Sequence, residues 1–227
     1  AGFIGVDPFI LGIYGAFFCK KRALNKFFVV LALISLLVAI RSPIQPLIAK
    51  LQIPVLSNSA FSRIIVLYSF SMAILAAFGL DQLKKDWQKK KGKRIFFFLL
   101  VFALFFFLIW ALIFLGRLPH SQIAKRNFIL PSLMFSAASF CFLAGLIKKD
   151  WWRKLLMLGL VFLAAFDLFR FAKKWLPFDP PEYFYPKLEV IKFLQEKTNG
   201  VDRVFGNFGG ELNVFQIPGT EGYDPLF

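Results

Sequence analysis

The chain has 227 residues, of which 58% are hydrophobic and 32 are phenylalanine, and its mean hydropathy is +0.65. A soluble domain is only about 45 to 50% apolar, so this composition excludes an ordinary soluble fold. The net charge of +15 does not indicate a nucleic-acid partner, because the lysines and arginines lie between apolar blocks and form no single basic domain with aromatic platforms.

The apolar residues form six blocks that approach the roughly 20 residues a helix needs to cross a bilayer. The first two blocks are short for a crossing, the next three are long and free of charge, and the sixth contains one carboxylate, Asp167. The predicted spans are residues 6–19, 27–40, 64–80, 95–115, 128–147 and 155–169. The fold class is therefore an α-helical polytopic membrane protein, with its transmembrane region over residues 1–175.

The orientation follows from the positive charges in the connecting segments, because cytoplasmic loops carry an excess of Lys and Arg. Residues 20–26 carry four such charges, residues 81–94 carry seven, and residues 148–154 carry four. The alternate segments, 41–63 and 116–127, carry three each. We therefore expect a multi-pass protein of the bacterial cell membrane with both ends of this chain on the extracytoplasmic side.

The tryptophans agree with that orientation, because indole rings favour the boundary between bilayer and water. Trp87, Trp151 and Trp152 fall at the predicted inner boundary, and Trp175 falls at the outer one. Trp110 lies within a predicted span and is interpreted as a packing residue.

A different composition begins after Trp175, where a proline-rich stretch cannot continue a helix. Residues 187–197 repeat apolar side chains at helical spacing, and Val201 to Phe205 is typical of a short strand. Gly206 to Gly210 lacks the spacing of a nucleotide-binding loop. Residues 176–227 are therefore predicted to begin a small extracytoplasmic α/β domain.

Metal ligands and disulfides are not indicated. Cys19 and Cys141 lie far apart in apolar blocks, and His120 stands alone in an outer loop. We expect no metal and no cofactor. The chain starts at Ala1 without a methionine and stops abruptly at Phe227, so we also expect a fragment of a longer protein.

Short patterns along the chain are similar to those of one family. They are, in order, Ser62-Arg63, Phe78-Gly79-Leu80-Asp81, Asp167-Leu168, Tyr185-Pro186, Phe193-Leu194, Arg203-Val204 and Gly222-Tyr223-Asp224-Pro225-Leu226. In this order and spacing the chain resembles the YfhO family of bacterial membrane proteins.

The resemblance implies a glycosyltransferase of the GT-C class. Such an enzyme takes a sugar from a polyprenyl-phosphate carrier and adds it to a cell-envelope acceptor, such as lipoteichoic acid, on the outer face. The resemblance places the catalytic carboxylate in an outer loop that precedes this chain, so the catalytic residues are unknown here.

Four residues are candidates for binding substrate or lipid phosphate. Arg63 stands where an outer loop meets the third span, and its guanidinium suits a lipid phosphate or anchors the helix end. Asp167 either pairs with a neighbouring basic residue or lines a substrate cavity. Tyr223 and Asp224 suit a sugar, although Gly-Tyr-Asp-Pro is also an ordinary turn.

Two polar segments have simpler interpretations. The loop from Arg41 to Arg63 suits a short helix at the outer interface, where it would cover a lipid-carrier site. The run from Lys84 to Arg94 is interpreted as a topology signal that also touches anionic lipid.

Two other functions stay open. A transporter or flippase would use an intramembrane carboxylate, although the chain shows no internal repeat with broken helices. A non-catalytic scaffold for envelope assembly is the third possibility.

Overall fold

A computed structural model describes residues 3–19, 23–40, 45–46, 50, 61–117, 120–147, 150–175, 180, 188–198, 202–206 and 211–220. The chain divides into two compact units. The first comprises Ala1–Gln45 and Phe61–Ala172, and the second comprises Pro46–Ala60 and Lys173–Phe227.

The described residues are almost entirely helical. The α-helices are α1 (Val6–Phe18), α2 (Ala23–Ala39), α3 (Ile65–Gln88), α4 (Gly92–Phe114), α5 (Ser121–Ala144), α6 (Asp150–Trp175) and α7 (Glu189–Lys197). Two 3-10 helices, Phe61–Ile64 and Glu211–Phe215, precede α3 and follow α7 respectively.

Every predicted span contains a helix, and four of these helices are long and apolar enough to cross a membrane. These four are α3 to α6, whereas α1 and α2 are shorter, with 13 and 17 residues. The prediction of a helical membrane protein is thus confirmed for the part of the chain described. The count of six spans stays a prediction.

Helices α3 and α4 extend beyond the third and fourth predicted spans. The polar segment 81–94, which connects those spans in the prediction, is mostly helical, because α3 continues to Gln88 and α4 begins at Gly92. Leu83 and Trp87 are buried in this extension while Lys84 and Lys85 face outward, so an amphipathic turn extends the helix beyond its apolar part. In the same way, α5 begins at Ser121, ahead of the predicted start at 128.

Large apolar side chains cover the outer faces of the long helices, which is the surface a lipid-facing helix presents because lipid tails are as apolar as the side chains. Examples are Phe70, Phe107, Leu133, Phe140, Phe162 and Phe169.

The interior of the first unit contains packed aromatic rings and a close helix crossing. Tyr14 lies at the centre, and its ring centroid is 4.9 Å from that of Phe98. Helices α1 and α3 approach so closely that a Cβ atom on Gly79 would overlap the carbonyl oxygen of Leu11, and one on Gly15 would overlap that of Leu75. Small residues permit such contacts between membrane helices.

The described part of the second unit contains α7 and the 3-10 helix Glu211–Phe215. Gln195 donates a hydrogen bond of 2.8 Å to the carbonyl oxygen of Phe215 and so connects them. The predicted helix over 187–197 is confirmed from Glu189 onward. The predicted strand over 201–205 is not found: in this part of the described chain, Val204 forms an isolated parallel bridge with Gly219.

Candidate functional site

Among the described residues of the first unit, three carboxylates are buried. Asp7 is 1% exposed, Asp86 is 0% exposed and Asp167 is 3% exposed. An ionised carboxylate buried without a partner is very costly, so the surroundings of each one indicate its role.

Asp86 is fully satisfied. It accepts hydrogen bonds from Tyr14 at 2.6 Å, from Gln82 at 3.0 Å and from Arg94 at 3.2 Å, and Arg94 also completes a salt bridge. The Arg94 guanidinium lies 4.9 Å from the centre of the Phe18 ring. These contacts join α1, α3 and α4, so Asp86 has a structural role. Arg94 is therefore more than part of a topology signal.

Trp87 lies beside this cluster and is fully buried. Its indole N–H donates a hydrogen bond of 2.8 Å to the carbonyl oxygen of Phe142. Arg153 donates to the carbonyl oxygens of Gly145 and Trp87, at 3.1 and 3.3 Å. The Trp87 ring therefore packs among helices, whereas Trp151 is 63% exposed. Their position at the inner membrane boundary stays a prediction.

Asp167 accepts a hydrogen bond of 3.0 Å from the backbone N–H of Val6. Val6 is the first residue of α1, where backbone N–H groups lack helical partners and the helix dipole is positive. The preceding Gly5, with a φ of 85°, has no side chain to act as a cap. A carboxylate from α6 therefore does so. The sequence predicts that Asp167 pairs with a basic residue or lines a cavity, and it does not predict this backbone partner.

Asp7 lies one residue further along α1 and is the least satisfied of the three. Among the residues that the structure describes, neither of its carboxylate oxygens has a hydrogen-bond partner. Asp167 is close enough for its charge to act on Asp7. Sequence reasoning missed this residue, although a carboxylate within an apolar block was itself a signal.

Arg63 is exposed in the 3-10 helix that leads into α3. An apolar cavity of about 330 Å³ lies further along, between α1, α2 and α3. Its lining includes Ile13, Phe17, Leu33, Tyr68 and Met72. A second cavity, of about 320 Å³, shares Tyr68 and includes Phe3, Val6, Phe102 and Phe106 in its lining.

The other predicted sites are not brought together. Tyr223 and Asp224, and most of the loop 41–63, lie outside the described residues. His120 is exposed at the start of α5. Within the described ranges, no group of three or more His, Cys, Asp and Glu residues is placed to hold a metal.

Comparison of the chain with protein-family models, with curated proteins and with solved structures gives no match.

Proposed function

We propose that this chain is part of a membrane glycosyltransferase that takes a sugar from a polyprenyl-phosphate carrier. The acceptor would be a cell-envelope polymer such as lipoteichoic acid, at the outer face of a bacterial cell membrane. The proposal includes six spans, both ends of the chain outside, and an α/β domain that begins after Trp175. Its first support is the resemblance to the YfhO family.

The structural observation that carries the proposal is the position of Arg63 relative to the apolar cavity. Arg63 precedes Tyr68, which lines the cavity, by five residues, or about 8 Å along the helix axis. A guanidinium binds phosphate through two parallel hydrogen bonds, and an apolar groove suits a prenyl chain. Arg63 would hold the phosphate of the carrier, and the part of the prenyl chain next to that phosphate would lie in the cavity between α1, α2 and α3.

Transfer of radiolabelled sugar tests the proposal, with the full-length protein in liposomes that contain a polyprenyl-phosphate sugar. We expect label to move to the acceptor. We expect Arg63→Gln to raise the KM for the carrier about tenfold or more, since a bidentate ionic contact is lost. Arg63→Lys should recover only part of the loss, because an ammonium group lacks the planar fork.

The matched control is Arg117→Gln, which removes an exposed arginine at the end of α4, also on the predicted outer side. Its KM should equal that of the unmodified protein. Absence of transfer from every polyprenyl-phosphate sugar tried, with a folded protein, would contradict the proposed activity. Equal effects of the two glutamine variants would contradict the proposed phosphate site.

A proton-coupled transporter is the second candidate, favoured by the buried pair Asp7 and Asp167. Ionisable groups within membrane helices commonly mark the path of an ion or solute. Asp167→Asn keeps an oxygen that can accept from Val6 while removing the charge. If this variant abolished substrate flux in liposomes, and sugar transfer was undetectable in the unmodified protein, the transporter would replace the enzyme.

A further inference from the structure

Asp7 differs from the other buried carboxylates in a way that packing alone does not explain. Asp86 has three side-chain donors, and Asp167 has the N–H of Val6. Asp7 is equally buried, but both of its oxygens lack a partner within the described part of the chain. An ionised group in such a place loses its hydration without compensation.

The neighbours of Asp7 add negative charge. Asp167 of α6 acts on it electrostatically, and Asp7 also interacts with the Cys141 thiol of α5. On α3, Tyr68 has an ionisable side chain and lines the second cavity together with Val6, the residue before Asp7. The described ion pairs, Arg94–Asp86 and Arg153–Asp150, use other carboxylates. Two adjacent carboxylates in a low-dielectric site cannot both stay ionised.

We propose that Asp7 and Asp167 form a proton-binding site at the start of α1, in which the pair holds one proton and Asp7 carries it. The positive end of α1 acts on both carboxyl groups, because Asp7 lies in the first turn of that helix, but it is Asp167 that receives a hydrogen bond there, from the backbone N–H of Val6. No comparable donor faces Asp7 in the described structure. The two carboxyl groups therefore hold one negative charge between them.

A proton fits this site better than a metal ion does. The described residues supply no set of three or more His, Cys, Asp and Glu side chains, whereas metal ions in proteins usually take four or more ligands. A proton needs a single oxygen. The site does not involve Arg63, so it is independent of the proposed glycosyltransferase and would serve either that enzyme or a transporter.

Infrared spectra of the full-length protein at neutral pH test the proposal, when the spectrum of each variant is subtracted from that of the unmodified protein. A protonated carboxyl group gives a C=O stretching band that an ionised one lacks, and the band shifts in D2O. We expect this band in the unmodified protein and its loss in Asp7→Asn. Asp7→Glu should move the band without removing it, which separates loss of the proton from loss of the fold.

Asp86→Asn is the matched control, because Asp86 is as deeply buried but fully paired. Its spectrum should keep the band unchanged. The proposal would be overturned if Asp7→Asn left the carboxylic-acid region as it is in the unmodified protein. It would also be overturned if added Na⁺ abolished the band at constant pH, since an alkali cation would then occupy the site.

Discussion

The hydroxyl group of Tyr14 donates a hydrogen bond of 2.6 Å to the carboxylate of Asp86, and both side chains are fully buried. The two residues are 72 positions apart, and the contact joins α1 to α3. Arg94, at the start of α4, neutralises the same carboxylate from the other side. The contacts of this one buried carboxylate therefore connect α1, α3 and α4 next to the lysine-rich turn.

Loss of the Arg94 charge should destabilise the protein strongly. Arg94→Gln leaves Asp86 buried with only neutral donors, and removing one partner of such a pair costs about 3 kcal/mol. Tyr14→Phe removes one hydrogen bond to a charged group, which costs roughly 1.5 to 3 kcal/mol. Because both residues contact Asp86, the loss of stability in the double variant should differ from the sum of the two single losses. Thermal unfolding in detergent measures these losses.

Lys93→Gln provides the control, since Lys93 is exposed and adjacent to Arg94. A surface change of this kind alters stability by no more than about 0.5 kcal/mol. An Arg94→Gln protein as stable as Lys93→Gln would show that the cluster does not hold the helices.

The sequence was sufficient to locate the helices of the first unit, because the length of an apolar block reports directly on a segment that crosses a bilayer. It could not reveal the Tyr14–Asp86–Arg94 cluster. Arg94 lies in a run of lysines whose charge has a simpler explanation, and its partner Asp86 looks like another loop residue. Only the continuation of α3 to Gln88 turns Asp86 inward.

The partner of Asp167 was unpredictable for a different reason. Its hydrogen bond goes to the backbone N–H of Val6, and no side-chain pattern encodes a backbone partner 161 positions away. Arg63 is a candidate from the sequence because it stands alone where a predicted outer loop meets an apolar block. Nothing in the sequence located the cavity beyond it, because residues from three helices line that cavity.

The contact between α1 and α3 should not tolerate a methyl group at Gly79. A Cβ atom there would overlap the carbonyl oxygen of Leu11, which belongs to rigid helix backbone. Gly79→Ala should therefore cost about 1 to 3 kcal/mol of stability through overpacking. Gly159→Ala in α6 is the control, because its added methyl would lie 3.9 Å from the nearest side-chain atom, the sulfur of Cys141. That variant should be neutral or slightly stabilising, since alanine favours helices. Equal stability of both variants would contradict the close crossing.

Trp87 should be shielded from lipid although the sequence places it at a predicted boundary. It is fully buried, whereas Trp151 and Trp152 are exposed. Lipids brominated near the headgroup should quench the fluorescence of Trp151 and Trp152 and leave that of Trp87 unaffected. Comparison of the unmodified protein with Trp87→Phe isolates the contribution of Trp87. The spectrum of the unmodified protein minus that of Trp87→Phe gives the emission of Trp87, and the same subtraction with Trp151→Phe gives that of Trp151. Equal quenching of the two emissions would show that Trp87 reaches the lipid.

The orientation of the bundle can be measured at two exposed positions. Lys89 begins the turn between α3 and α4, within the segment 81–94 that carries seven positive charges. His120 precedes α5, near the other end of α4. Since positive charge retains a loop in the cytoplasm, a membrane-impermeant maleimide should label His120→Cys in intact cells, but Lys89→Cys only after permeabilisation. The native Cys19 and Cys141 are buried, so they should not react with the maleimide. The reverse labelling pattern would invert the predicted topology and place Arg63 on the cytoplasmic side, away from any acceptor in the envelope.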